Sequence, residues 1–301
     1  MAQSLTISKK LQFNRKYINL AEKKLFVEVK DHSVSKESFR LYHDEELDLL
    51  ITEPKPSVET LGSYYQSEDY ISHTDSKRTA FEKVYHLVKS FSINQKLSFL
   101  EKVHPSKGIL LDIGAGTGEF LAKASKKDWK VLGYEPDLAA RNIAIGKGIK
   151  LSDSLSEIES NSVDVITMWH VLEHVYDYDE QIVELKRILK ENGVIVVAVP
   201  NFRSYDANHY KKSWAAFDAP RHLWHFSKTS IKKIFGKHEI ELIDIRPMYF
   251  DSFYVSLLSE KYKNGKMNVL KAIGVGLLSN IKGMKSGEYS SHIYVLKIRN
   301  N

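Results

Sequence analysis

At 301 residues, 43% of them hydrophobic, the chain is long enough for one large domain with its own core and a smaller appendage. It has no cysteine, which excludes a disulfide framework and any thiolate metal site, and no other metal-ligand set is expected. The formal charge of +6 is uneven: Lys261 to Asn301 carries eight lysines or arginines against a single acid, Glu288. No apolar run approaches the ~20 residues that cross a bilayer. Lys9, Lys10, Arg15 and Lys16 are not followed by the apolar stretch of a signal peptide, so a cytoplasmic location is expected.

In chain order, Phe26–Val29, Phe39–Tyr42 and Leu49–Thr52 read as short alternating strands, the last running into Pro54-Lys-Pro56. Leu61 to Tyr70, with Tyr64, Tyr65 and Tyr70, bridges to a long helix near Lys77 to Leu100. The apolar run Ile109–Ile113 is a buried strand that breaks at Gly114, Gly116 and Gly118, and a helix with Phe120, Leu121 and Ala124 on one face follows. Glycines at a strand-to-helix turn let a ligand approach the backbone, and the free amides of the helix start face the same place.

The ligand is constrained by what surrounds these glycines. A phosphate-gripping loop needs Gly-Lys-Ser/Thr, but Gly118 is followed by Glu119. A dinucleotide fingerprint needs G-x-G-x-x-G, and the third glycine comes one residue early. The pattern favours a nucleoside with a cationic or zwitterionic tail, whose ammonium Asp112 suits. The next strand, Lys130–Tyr134, ends in Glu135-Pro136-Asp137, and Glu135 lies about 20 residues past the first glycine, where a doubly wound sheet places its ribose-binding acid.

Ile149–Leu151 is a short third strand with Asp153 after it, and Val163–Met168 is a fourth, running into Trp169-His170-Val-Leu-Glu173-His174-Val175. A helix capped at Asp177 or Asp179 carries Ile182, Leu185, Ile188 and Leu189, with Gly193 past its end. Val194–Val199 is a β-branched strand stopped by Pro200. Alternation of this kind specifies an α/β fold with a mostly parallel sheet and helices on both faces. Ligands of such sheets bind at the carboxyl ends of the strands.

Leu111-Asp112-Ile113-Gly114-Ala115-Gly116-Thr117-Gly118, with an acid closing the next strand, resembles the first motif of the class I S-adenosylmethionine-dependent methyltransferases. The resemblance implies a Rossmann-like seven-stranded sheet and S-adenosylmethionine as cofactor. It places cofactor contacts at Asp112, Gly114, Ala115, Gly116, Gly118, Glu135, Pro136, Asp153, Trp169 and His170. Residues 61–301 would form this domain, with a cap helix (61–105) and a substrate lobe (201–230 and 250–290). Residues 1–60 resemble, loosely, the zinc ribbon that begins some bacterial relatives. The knuckle cysteines expected near Tyr17, Leu20, Asp44 and Leu47 are missing, and His32 and His43 make a poor ligand set. A small β module packed on Phe13, Phe26, Phe39 and Tyr42 is the reading.

After the fifth strand the chain gathers Trp214, Asp218, Arg221, His222 and His225, which read as the lining of an acceptor pocket. His222 and His225 are the candidates for acceptor contact or proton removal, with His170 and His174 as competitors. For His222 and His225, capping of the helix near Ser227 or simple packing is the alternative. The acceptor class implied is a small molecule bearing a hydroxyl, carboxyl or amine, a sugar or cell-envelope precursor among them. Two other functions stay open: a nicotinamide-dependent oxidoreductase, and a non-catalytic binding protein whose basic tail grips nucleic acid or membrane. Nucleic acid is not expected as the methyl acceptor. Residues 266–285 read most simply as a surface helix with a solvated basic edge, the alternative being peripheral contact with anionic lipid.

Overall fold

The structure, a computed structural model, describes residues 23–65 and 80–299. The expected roles of Phe13 and Tyr70, and the positions near Tyr17 and Leu20, lie outside the described residues.

The apolar runs build one seven-stranded sheet from β4 (Ile109–Ile113), β5 (Lys130–Tyr134), β6 (Leu151–Ser152), β7 (Val163–Trp169), β8 (Leu189–Pro200), β10 (Ile240–Pro247) and β11 (Ser291–Ile298). Their order is β10-β11-β8-β7-β4-β5-β6. The five strands from β8 to β6 are parallel, while β11 is reversed and pairs antiparallel with both β8 and the edge strand β10. From β4 the chain steps outward to β5 and β6, then returns to β7 on the other side. That reversal opens a crevice at the carboxyl ends of β4 and β7, where a ligand of such a sheet sits.

Side chains alternate across the sheet with period two, so each strand feeds two cores. Leu110, Val165, Val194 and Val196 face helices α1 (Ala80–Val103), α2 (Glu119–Ser125) and α3 (Leu138–Gly146), and meet Leu97, Leu100, Leu121 and Ala144. Leu111, Ile113, Ile166, Met168, Ile195 and Val197 face the other way, onto α4 (Tyr178–Ile188) and α6 (Lys228–Gly236). Their apolar stripes are Ile182, Leu185 and Ile188, and Ile231, Ile234 and Phe235. Asp177 caps α4 by accepting the amides of Asp179 and Glu180, and Ser227 caps α6 in a capping box with Ser230.

Two local expectations differ. The third strand shrinks to Leu151–Ser152, with Ile149 buried ahead of it against the α2 side of the sheet. Leu189 and Gly193 do not end a helix. Leu189 turns extended, pairs with Val163 and opens β8. Gly193 lies inside that strand, at an irregular stretch where a Cβ would come within 2.7 Å of Leu189. The backbone there folds back on Leu189, and only glycine leaves the room.

A second, antiparallel sheet contains β1 (Lys24–Lys30), β2 (Ser38–Asp44) and β3 (Leu49–Glu53), and takes its fourth strand, β9 (Trp224–His225), from the far side of the chain. Val29, Phe39, Leu41 and Leu50 pack on the segment after β8, including α5 (Tyr205–Tyr210), and on α7 (Asp251–Asn264) and α8 (Val269–Ser286). Phe26 stays half exposed and packs edge-on to Phe202, and Tyr42 is half-buried. A fully buried carboxylate organises this lobe. Asp206 accepts hydrogen bonds from Trp214 Nε1, Ser279 Oγ and Ser290 Oγ, each at 2.7 Å. A buried carboxylate is tolerated because all its strong donors come from fixed elements.

Candidate active site

The glycine loop follows β4 with Gly114, Gly116 and Gly118 at φ +73°, +53° and +74°. Left-handed backbone at three alternating positions is a conformation side chains resist. The amides of Gly114 and Ala115 donate to the Tyr134 carbonyl (2.8 and 3.1 Å), so the loop lies across the end of β5. Glu135 reaches back over it: its Oε2 accepts the Gly116 amide at 2.7 Å and its Oε1 accepts the Asp137 amide at 2.9 Å. A Cβ on Gly116 would meet nothing within 4 Å, whereas one on Gly114 would strike Val171 at 2.4 Å and one on Gly118 would strike Ala144 at 2.9 Å. Two glycines therefore serve packing, and Gly116 borders open space beside a carboxylate.

Asp112, at the end of β4, is buried and accepts the Thr167 hydroxyl at 2.6 Å. Burial pushes its carboxyl up to about 7, against the Thr167 bond and the Lys96 ammonium, which favour the charged form; Glu135 adds repulsion. Lys96 comes from α1 and stands over the Trp169 ring, 4.4 Å from its centroid. Burial lowers the Lys96 pKa, and Asp112 and Asp251 hold it up. A cation thus already faces the acid that the sequence assigns to a ligand's ammonium. Trp169 packs edge-on to Phe120, and its Nε1 is buried without a hydrogen-bond partner. Pro136 is exposed beyond Glu135, and Asp153, at the end of β6, pairs with Arg141.

His170, at φ +56°, is clasped between carboxylates: Nε2 is 3.0 Å from Asp251 and Nδ1 is 3.3 Å from Glu173. Burial alone would lower its pKa, but Asp251 and then Glu173 reverse this and lift it to about 10. At neutral pH the ring is an imidazolium with no lone pair, which does not suit the proton-removing role the sequence offered it.

The five lobe residues meet different fates. Trp214 is buried with its single polar side-chain atom spent on Asp206, and with Phe217, Asp218 and Tyr262 it lines only a small cavity. Arg221 is a tie: it grips Asp218 through two nitrogens and donates to the Tyr64 carbonyl and to Ser33 Oγ, each at 2.9 Å. Burial disfavours its charge, and Asp218 more than restores it. His225 ties β9 to β3 within the four-stranded sheet. The Thr52 hydroxyl gives its proton to the His222 carbonyl (2.6 Å) and so accepts from His225 Nε2 (3.0 Å). Burial holds His225 well below its usual range, and hence neutral. His222 is different: its Nδ1 donates to the Ala216 carbonyl at 2.9 Å, leaving Nε2 toward Asp218 Oδ2, 4.0 Å away. Its ring also meets that of His174 edge-on, at 4.5 Å between centroids. The histidines of the first segment are engaged elsewhere, His32 stacked on Tyr262 and His43 on Asp48.

Lys96, Asp251, Thr167 and Glu173 went unnoticed in the sequence. Only Glu173 had a visible cue, its place in the stretch after β7.

A protein-family model described as "methyltransferase domain" matches residues 85–245, more than half of the chain. The chain belongs to this methyltransferase family. An uncharacterized methyltransferase of Bacillus mycoides (strain KBAB4) is 33% identical over 112 residues, 35% of this chain and 53% of the relative. The match thus spans about half of that relative's length. Among solved structures, geranyl diphosphate C-methyltransferase of Streptomyces coelicolor A3(2), in complex with Mg2+, geranyl diphosphate and S-adenosyl-L-homocysteine, shares the fold. Its TM-score is 0.52 at 15% identity, over 75% of this chain and 88% of that one. Magnesium protoporphyrin IX methyltransferase of Synechocystis PCC 6803, with bound S-adenosylhomocysteine, also has a TM-score of 0.52. It is 13% identical over 80% of this chain and 100% of its own. The family and the Rossmann-like sheet expected from the glycine motif are both found.

Proposed function

We propose that this methyltransferase-family chain transfers a methyl group from S-adenosylmethionine to a small-molecule acceptor. One convergence carries the reading: Asp112, the open Gly116 and Glu135 meet where the sheet order reverses. The residues fit the cofactor on the structure's own terms. Glu135 holds a carboxylate pair for ribose hydroxyls, Asp112 is a buried acid poised near 7 for an ammonium, and Gly116 gives close approach without a Cβ. Trp169, His170 and Asp153 complete the carboxyl-end rim.

When bound, S-adenosylmethionine supplies an electrophilic methyl on sulfur. The chain's part is to hold the acceptor in line and exclude water. His222 is the lobe residue best placed toward the acceptor, because its Nδ1 is fixed by the Ala216 carbonyl and its Nε2 has no hydrogen-bond partner among the described residues. The other lobe residues position it.

The surface favours an acceptor held at a lipid face. Helix α8 buries its small residues, Ala272, Val275, Gly276, Ser279 and Gly283, against the lobe, and turns Leu270, Ile273, Leu277, Ile281 and Met284 outward. Leu270 is 84% exposed and Met284 70%. Lys266, Lys282 and Lys285 flank the stripe. The solvent side is thus apolar between lysines, the pattern of a helix lying on an anionic membrane. No helix among the described residues is long and apolar enough to cross one.

The test is thermal stabilisation and methyl-transfer stoichiometry. S-adenosylhomocysteine should raise the melting temperature, and NADH should not. Stabilisation by the nicotinamide alone would replace this reading with the oxidoreductase.

A further inference from the structure

Glu173 is buried to 1% exposure, and neither of its carboxylate oxygens has a hydrogen-bond partner. The His170 ring comes within ion-pair distance of Oε1 but without hydrogen-bond geometry. The His170 imidazolium offsets part of its charge but is shared with Asp251, so the carboxylate keeps lone pairs free for a further cation. Around it stand two imidazoles. One donor atom each from Glu173, His174 and His222 lies within 4.8 Å of the other two.

Both rings are turned to serve. His174 Nδ1 donates to the Arg221 carbonyl (3.0 Å) and also meets the Tyr65 hydroxyl (3.1 Å), and His222 Nδ1 donates to the Ala216 carbonyl (2.9 Å), so Nε2 is the nitrogen each ring leaves for a metal. A carbonyl on the far nitrogen is the orientation that ligating histidines show. The two segments are also tied at the backbone: the Leu223 amide donates to the Glu173 carbonyl at 2.8 Å. Asp218, held by Arg221, also faces His222 Nε2, with Oδ2 4.0 Å away.

We propose that Glu173, His174 Nε2 and His222 Nε2 bind a divalent first-row transition ion. Two imidazoles and one carboxylate suit Zn2+, Co2+ or Mn2+ better than Ca2+ or Mg2+, which prefer all-oxygen shells. Three protein ligands leave at least one coordination position for another molecule. The site is next to the crevice, because Val171, two residues before Glu173, packs on Gly114 of the glycine loop. Its open position therefore suits an oxygen of the acceptor, a hydroxyl or a carboxylate. This role for the open position rests on the methyl-transfer reading; the binding itself does not.

The full-length chain, stripped with EDTA, is titrated with Co2+ and followed by its visible d–d absorption, with S-adenosylhomocysteine binding measured in parallel. One Co2+ per chain is expected, displaced by Zn2+. Glu173→Gln and His222→Asn should each weaken Co2+ by more than about tenfold, while His238→Gln, at a surface pair with Asp179, leaves it unchanged. X-ray absorption on the wild-type Zn2+ form should show two imidazole nitrogens, and it reads the site even where a variant does not fold. No stoichiometric Co2+ binding, a spectrum unchanged in both variants, or an all-oxygen shell overturns the proposal. Co2+ binding by a chain that ignores S-adenosylhomocysteine would leave the metal site standing and remove the function proposed above.

Discussion

Glu135 accepts the Gly116 amide at 2.7 Å, so the acid that closes β5 is also a strut of the glycine loop after β4. One carboxylate thereby fixes the loop and keeps lone pairs for a ligand. Glu135→Gln keeps the volume but loses the charge-assisted bond, a loss of about 1.5–3 kcal/mol. S-adenosylhomocysteine affinity, read by calorimetry, should fall roughly tenfold to a hundredfold. Unchanged affinity would remove Glu135 from the site.

The three glycines should separate by what their Cβ would meet. Gly118→Ala drives a methyl to 2.9 Å from Ala144 at a φ of +74°, and adds overpacking of about 1–3 kcal/mol to backbone strain. Gly116→Ala meets no atom within 4 Å and carries only the left-handed penalty, roughly 1–2 kcal/mol. The expected result is a folded Gly116→Ala protein, a few degrees less stable, that no longer binds the cofactor product. Gly118→Ala should lose more stability. Equal melting temperatures with binding retained in Gly116→Ala would refute the assignment.

Asp112 and Lys96 make cofactor binding pH-dependent. The Asp112 carboxyl, held near 7 by burial, is largely protonated below that pH and charged above it. A cationic tail prefers the charged form, so affinity should be weak at pH 6 and rise through pH 8, and Asp112→Asn should flatten the profile. The Lys96 ammonium competes for the same acid. Lys96→Met keeps the stem over Trp169, removes the like charge, and should tighten binding severalfold while lowering the melting temperature of the free chain. Weaker binding would mean instead that Lys96 grips the ligand's carboxylate.

These examples divide what the sequence could show from what it could not. Asp112, the glycines and Glu135 were readable because their chemistry is local. A strand end, a tight turn and the neighbouring strand's end fall at spacings set by backbone geometry. The seven-stranded sheet was readable for the same reason, through period-two and helical patterns. Lys96, Asp251 and the Glu173–His174–His222 group come together only when α1, α7 and the lobe fold over the crevice, and no short-range spacing encodes that. Trp214 and Arg221 were not legible in detail, because density of aromatic and charged residues looks alike in a pocket and in a polar-tied core. Within the chain Asp206 is the partner of Trp214 and Asp218 of Arg221.

Helix α8 was half legible. Its amphipathic pattern was plain, but not that Gly276 and Gly283 would face inward, against Phe253 and Tyr289, leaving the large side chains outside. Vesicles with anionic headgroups should therefore retain the chain in co-sedimentation, and neutral vesicles should not. Leu270→Ser with Ile273→Ser should release it without changing S-adenosylhomocysteine affinity. Retention that survives this pair would place the contact elsewhere.

Acid stability offers a check away from the crevice. Burial pushes His292 on β11 down to about 4, although the Gly287 carbonyl at 3.0 Å and Glu288 favour its charged form. In the unfolded chain the ring titrates near 6.5. Between those values the unfolded state binds the extra proton, so stability rises with pH across that window. The contribution is full above pH 6.5 and is lost as the pH falls toward 4, to a total of roughly 3 kcal/mol. His292→Gln removes the titration. The difference in urea-unfolding free energy between wild type and variant should grow in the variant's favour as the pH drops from 7 to 4. A constant difference over that range would mean that His292 is solvated or charged in the folded protein.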